Sequence, residues 1–438
     1  MEDIPVLSNE EVSEIVRQYV KSSNFQVLAY RIGPLSDDIV GFLGEHLRLD
    51  VSVVANKSGV EEELNIHFFV KILPRNSFHS NYVVSMGAFE KEVLFYSTLL
   101  KDLSKYQKHN SALCLEDATG DNFWAPECFL TRPDLIVLED LSGINFNTLD
   151  IREPMDFQHC SVAIRTLARF HASSIIFEEK ETKASGKICR INELYPKLFE
   201  ENLFVDSDDK LAKGWFLTSI KAMVALTELL PKYGKGHEKH QLIKEKIPEV
   251  CMRIKDLVKS SGKHRNVVCE GDLWTNNILF RCCDGEMPVE ARIVDFQLVR
   301  YTPPAHDVIF FLHMATTRDF RKHHLEELLE VYYNSLSSEL HRHDLDADVL
   351  LSWTEFRESC DLLRDVGRII APADHQLGVM KSDFIIPNVE TEEKLNRFMV
   401  VNRNVVVCDS FRSDPVFRKW MTDDLEELIE CCILSQNE

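Results

Sequence analysis

The sequence predicts an α+β chain of two lobes, a small N-terminal lobe built on an antiparallel sheet and a large, mainly helical C-terminal lobe. Three observations predict it. Strand-like runs bounded by turn residues fill the first third of the chain. From about residue 155 apolar residues recur at helical spacing instead. A short strand-and-loop insert at 266–299 then interrupts the helical part. The expected division places the N-lobe at 1–140 and the C-lobe at 141–438.

Taken in order, 25–33 (FQVLAYRIG) and 46–54 (HLRLDVSVV) read as strands flanking a turn that contains Gly33, Pro34, Gly41 and Gly44. Segment 66–73 (IHFFVKIL) reads as an apolar strand interrupted by Lys71. Phe89, Val93, Tyr96 and Leu100 then recur at helical spacing, and a strand at 135–138 (LIVL) follows Pro133. In the second part Ile164, Leu167, Ala168 and His171 share one face of a helix expected at 157–175. Amphipathic stretches at 193–260 and 305–435 surround the insert. No internal repeat or low-complexity linker breaks this order.

Composition narrows the class. The chain has 438 residues, 45% of them hydrophobic and 28% charged, which suits a globular enzyme with a large core. No tract has the apolar length of a membrane span, and the acidic start (MEDIPVLSNEEVSEIV) is no signal peptide, so the expected compartment is the cytosol. Twelve cysteines in such a chain are expected as reduced thiols, and no CxxC pair suggests zinc. The formal charge of −21 disfavours nucleic acid and anionic membrane as partners. A small molecule suits it better, and the chain is expected to act as a monomer.

The chemistry concentrates in VVCEGDLWTNNILF at 267–280 and ARIVDFQLV at 291–299. Asp272, Leu273 and Asn277 match the D-L-x-x-x-N spacing of kinase catalytic loops, and Asp295-Phe296-Gln297 stands where a D-F-G triplet would. Phosphoryl transfer needs magnesium on the phosphate oxygens and an acceptor hydroxyl held in line. Asn277 and Asp295 offer the hard oxygen ligands that magnesium prefers. Asp272 can accept or orient the acceptor's proton. The bland alternative is one aspartate capping a helix and another ending a strand.

Lys71 and Glu92 form a second constellation. Each is a charge set among apolar residues, where an unpaired charge is costly, and pairing would aim the lysine at nucleotide phosphates. A snorkelling lysine beside a boundary glutamate is the plainer reading. The turn at 33–44 lacks G-x-G-x-x-G and offers only Gly41 and Gly44 to cover phosphates. LEDL at 138–141 suits a hinge between lobes where Glu139 and Leu141 would meet adenine, though Glu139 and Asp140 suit a solvated turn as well.

His171 lies in an apolar arc and reads as a satisfied core histidine rather than a catalytic one. Cys269 ends a buried strand and reads as inert. Asp307 opens a helix after Pro303-Pro304, a favourable place for negative charge. His237 and His240, and His341 and His343, miss the HExxH spacing and read as solvated.

With these residues assembled, the chain resembles the ecdysteroid kinase-like family of insects, within the choline-kinase and aminoglycoside-phosphotransferase branch of the protein-kinase-like fold. GFLGEHLRL at 41–49, FFVKIL at 68–73, FEKEVLFY at 89–96 and LIVLEDL at 135–141 carry the likeness in the small lobe. LARFHASS at 167–174, GDLWTNNILF at 271–280 and IVDFQLVRYTPPAHDVIFFL at 293–312 carry it in the large one. The resemblance implies ATP and Mg2+ as cofactors. It implies Asp272 as base, Asn277 and Asp295 as magnesium ligands, Lys71 as phosphate contact with Glu92 as its partner, and Asp307 as a brace of the catalytic loop. Family members of known activity phosphorylate hydroxyls of steroids such as ecdysteroids, and others are thought to act on ingested toxins. The family usually has histidine two places before the catalytic aspartate, where this chain has Glu270, an acceptor that brings negative charge near Asp272.

Eleven residues separate Asp295 from Asp307 and no A-P-E follows, which leaves little room for the segment on which protein kinases lay peptides. The expected activity is therefore ATP-dependent phosphorylation of a hydroxyl on a lipophilic small molecule. A nucleotide- or lipophile-binding pseudokinase marked by Glu270 is one alternative, and a kinase for choline or ethanolamine is another.

Overall fold

A computed structural model describes residues 6–35, 44–57, 60–75, 77–106, 123–205, 210–283 and 287–435. The N-lobe sheet has five strands: β1 (Phe25–Pro34), β2 (Glu45–Lys57), β3 (Val60–Ile72), β4 (Cys128–Arg132) and β5 (Leu135–Glu139). Their order is β1-β2-β3-β5-β4, and every neighbouring pair is antiparallel. β3 is thus central, with Lys71 opposite His46 on β2 and Ile136 on β5.

The two-residue period of a strand decides which way Lys71 faces. Phe68, Val70 and Ile72 point into a core shared with Val12, Ile15 and Val16 of the Asn9–Val20 helix. Phe69, Lys71 and Leu73 point to the other face, where Phe69 and Leu73 pack against the core of the large lobe. A sheet buried on both faces reads as a continuous apolar run, which is why alternation is weak there.

The Asn9–Val20 helix was not expected from periodicity, yet its start is encoded: Ser8 Oγ accepts from the Glu11 N–H and Glu11 Oε2 accepts from the Ser8 N–H. Burying Val12, Ile15 and Val16 contributes at most about 1.5–3 kcal/mol each. On the opposite face the Ala88–Leu94 helix continues through Phe95–Leu99 and brings Glu92 under the sheet.

The large lobe is mainly helical, as expected. The helix predicted at 157–175 runs on to Ser185 and stops at Gly186, which takes the left-handed conformation that ends helices. The stretch at 193–260 is broken into several helices, including Lys210–Leu226 and His240–Met252. Ala305–Ala315 is buried on every side and packs on Trp353–Gly378, so it is the axis of this lobe. The insert holds β7 (Val267–Cys269), β8 (Ile278–Cys283) and β9 (Met287–Ile293), with β10 (Arg300–Thr302) pairing β7. The two-residue β6 (Phe146–Asn147) adds an edge to β8. Among the described residues no helix is long and apolar enough to cross a membrane.

Candidate active site

The small lobe contributes one cation. Lys71 Nζ lies 2.6 Å from Glu92 Oε2 and 2.5 Å from Asp295 Oδ1, so one buried ammonium joins β3, the helix beneath it and the segment after β9. Burial alone would lower the lysine pKa, but the charges of Asp295 and Glu92 outweigh it and the pKa rises. Burial pushes Glu92 up, and the attraction of Lys71 only partly offsets that. Gly44 makes room for this pair, since a Cβ there would come within 2.8 Å of Lys71 Cε.

The large lobe contributes the oxygens. Asn277 and Asp295 end adjoining strands: Ile278 pairs Ile293, and the Val294 N–H donates to the Asn277 carbonyl at 3.0 Å. Asn277 Nδ2 donates to the Asp272 carbonyl at 3.0 Å, so its amide nitrogen is committed and its carbonyl oxygen is the end left for a cation. Asp272 is half-buried, and burial with the Asp295 charge pushes its pKa up. The three predicted oxygen donors therefore lie on adjoining segments of the large lobe. Asp295 holds its position in a left-handed backbone with φ +67°, tolerable for aspartate but costly. The next residue, Phe296, is fully buried and stacks on Phe95 with centroids 4.0 Å apart.

Hard oxygen ligands at Asn277 and Asp295, a lysine poised beside them and a half-open carboxylate at Asp272 fit a magnesium-bound nucleotide phosphate.

A brace fixes the loop that carries Asp272. Asp307 Oδ2 accepts from the Glu270 N–H at 2.6 Å, and Oδ1 accepts from the Gly271 N–H at 3.1 Å. His171 sits 3.2 Å from Asp307 and 2.7 Å from the Tyr332 hydroxyl, fully buried, so it is a core histidine that holds the brace. Burial opposes the Asp307 charge, yet His171 and His306 keep its pKa low. The nearby Cys269 thiol is buried and pushed well up, as expected of an inert cysteine. His171, Cys269 and Asp307 place ligand atoms within 4.8 Å of one another, but the hydrogen bonds of the brace already engage them.

Glu270 takes the acceptor role expected of it, with Oε2 receiving the Asp272 N–H at 2.8 Å. Its Oε1 is buried without a hydrogen-bond partner. Burial, then the Asp272 and Asp307 charges, push its pKa well above its ordinary value.

The hinge residues come out unequally. The Glu139 N–H donates to the Glu127 carbonyl at 2.8 Å and its carboxylate accepts from the Glu127 N–H at 3.3 Å, which ties the residue to the chain entering β4. Asp140 is a cap rather than a solvated turn residue, accepting from the Ser142 N–H at 3.0 Å. Leu141 is buried at the start of the short helix that follows. Gly41 lies outside the described residues.

Two features were missed by sequence reasoning. Arg300 Nη1 donates to the Gly271 carbonyl at 2.8 Å, while Glu201 clamps its guanidinium at 2.8 and 3.3 Å. Gln297 lies near enough to the Asp272 carboxylate for its side chain to lower that group's pKa. Position alone could have flagged Gln297, since it stands where D-F-G has glycine.

A cleft closed by a lysine from one lobe and floored by carboxylates from the other defines the kinase-like phosphotransferases. Within that class the chain belongs to the ecdysteroid kinase-like family, whose model matches residues 40–345. Solved structures similar to it include an ethanolamine kinase of Plasmodium vivax, at 13% identity over 95% of this chain and 86% of that one, TM-score 0.38. A choline/ethanolamine kinase family protein of Mesorhizobium loti is 13% identical over 90% and 92%, TM-score 0.32. APH(2")-IIia, solved with GDP and kanamycin, is 11% identical over 82% and 98%, TM-score 0.33. None of the curated proteins compared with the chain matches it.

Proposed function

We propose that this chain is an ATP- and magnesium-dependent kinase that phosphorylates a hydroxyl of a lipophilic small molecule. The observation that carries the reading is the meeting of Lys71, Glu92 and Asp295 beside Asp272 and Asn277. Lys71 holds nucleotide phosphate oxygens, and Glu92 keeps the lysine aimed at them. Asn277 and Asp295 would hold a divalent cation, which would neutralise charge on the phosphate oxygens. Leu141 lines the adenine end of the cleft.

Asp272 orients the acceptor hydroxyl and takes its proton as the phosphoryl group transfers, with Gln297 holding the carboxylate in place. The Asp307 and Arg300 contacts keep the loop from shifting, which matters because small misplacements cost much rate. Glu270 supports the loop as a hydrogen-bond acceptor for the Asp272 N–H. The acceptor side is partly apolar, since the half-buried Trp274 ring follows Asp272 by two residues.

The test is a phosphate-transfer screen of purified protein with ATP and magnesium against steroids, plant phenolics and amino alcohols, read by mass spectrometry. Phosphorylated product with at least one apolar alcohol is expected. Absence of product across the panel, with ATP binding intact and independent of magnesium, would favour a nucleotide-binding relic.

A further inference from the structure

The acceptor side of the cleft holds an acid that the chemistry above does not use. Asp374 lies near the C-terminal end of the Trp353–Gly378 helix, half-buried. That helix end touches the catalytic loop: a Cβ on Gly378 would lie 3.0 Å from Trp274 Cζ3 and 3.1 Å from Ile151 Cδ1. Asp374 is four residues before Gly378, so both sit on the same helix face. The face that meets the loop just beyond Asp272 therefore carries Asp374 one turn away.

Two of the three residues between, His375 and Gln376, are fastened elsewhere, which fixes the rotation of the helix. His375 lies 2.7 Å from Asp424 Oδ2 and 3.0 Å from the Met314 carbonyl. Gln376 donates to the Ser219 carbonyl at 3.0 Å and accepts from Arg403 Nε at 3.0 Å. Among the described residues no hydrogen bond or ion pair engages the Asp374 carboxyl. Burial and then the Asp272 charge push its pKa well up, against the pull of Arg403 and Arg300, so the two carboxyls share one electrostatic environment.

Stability does not explain such a residue. An acid near the negative end of a helix is placed against the helix dipole. A half-buried carboxyl without a partner also forgoes the bonds it makes in water. Both penalties are relieved when a ligand supplies a donor.

On the kinase reading above, we propose that Asp374 recognises the acceptor, binding a second hydrogen-bond-donating group of it, an ammonium or a hydroxyl, while Asp272 faces the hydroxyl that is phosphorylated. Trp274 is the apolar wall between the two contacts. The favoured acceptor is thus an apolar body carrying two separated donor groups.

The test compares wild type, Asp374→Ala and Asp374→Asn with three probes: a steroid mono-ol, a steroid diol and an aryl amino alcohol. Direct binding by calorimetry and transfer kinetics are both measured, together with ATP affinity. Asp374→Ala is expected to weaken binding and raise KM for the diol or the amino alcohol about tenfold or more. Its loss on the mono-ol should stay under about threefold, and ATP affinity should be kept. Asparagine should rescue the diol and not the ammonium compound, which separates the two kinds of donor.

Equal losses on all three probes, no loss on any, or failure of wild type to bind either two-donor probe overturns the proposal. Binding that depends on Asp374 without any transfer leaves the recognition role standing and removes the kinase reading instead.

Discussion

Lys71 and Asp295 are 224 positions apart in the chain, yet Lys71 Nζ and Asp295 Oδ1 lie 2.5 Å from each other. Glu92 completes the contact at 2.6 Å, with its side chain 2% exposed and that of Lys71 5% exposed. The ammonium is therefore as much a fastener between lobes as a reactive group. A charge buried this deeply is tolerable only while it is paired, so its removal has two readable consequences.

Lys71→Ala should lose nucleotide affinity and also lose about 3 kcal/mol of stability, because Glu92 is left buried and unpaired. The double variant Lys71→Met with Glu92→Leu should recover much of that stability without recovering activity. Urea denaturation midpoints and phosphate transfer separate the two effects. A single variant as stable as wild type would contradict the buried pair.

Asp272→Asn should lower kcat by about a thousandfold or more while ATP affinity stays near wild type, since asparagine keeps the size but cannot take a proton. Gln297→Ala, which removes only the amide that holds the Asp272 carboxylate, should lower kcat less, by about tenfold. Rescue by Gln297→Asn would mark a hydrogen-bonding role. Turnover and nucleotide titration check both.

How much of this was legible follows from the range of the interactions. The Asp272–Asn277 spacing and the apolar run around Lys71 are local, and a charge inside such a run is itself a signal. β1, β2 and β5 fell close to their expected limits for the same reason, while β3 starts at Val60 rather than 66. The Asn9–Val20 helix was readable from Ser8 and Glu11 but was passed over. Arg300 meets Glu201 across 99 positions, and Asp374 on the Trp353–Gly378 helix feels the charge of Asp272 in its loop. Neither carries a spacing pattern, because which distant faces meet is decided by packing. The hinge reading of Glu139 rested on position, and its N–H and carboxylate bond the backbone of Glu127.

The Glu201–Arg300 clamp gives a pH signature. Burial alone would raise Glu201, but the Arg300 charge and the N–H groups of Leu203 and Phe204 bring its pKa from 4.5 down to about 2. A carboxyl depressed in the folded state contributes stability that is complete above 4.5 and is lost as pH falls toward 2. Glu201→Gln should therefore cost about 2 kcal/mol near neutral pH, after discounting for its partial exposure. The gap in melting temperature from wild type should narrow below pH 4.5. A gap that stays constant from pH 7 to pH 3 would mean that charge is not what the clamp supplies.

Gly271 is the residue through which all these supports act, and it has no alternative side chain. Its φ of +85° is a conformation that other residues avoid, and a Cβ there would fall 2.1 Å from the Leu298 carbonyl oxygen. Relief would require moving either the Asp272 loop or the segment after Asp295, and Asp307 and Arg300 hold that loop from both sides. Gly271→Ala should therefore destabilise the fold by about 3 kcal/mol or more and abolish transfer in whatever folds. Gly143 is the control: an added Cβ meets nothing within 4 Å and its φ is not positive, so Gly143→Ala should be neutral or slightly stabilising. Melting temperatures of the two variants measure the contrast. Equal stability of both would show that the tight approach of Leu298 to the loop is not a feature of the folded molecule.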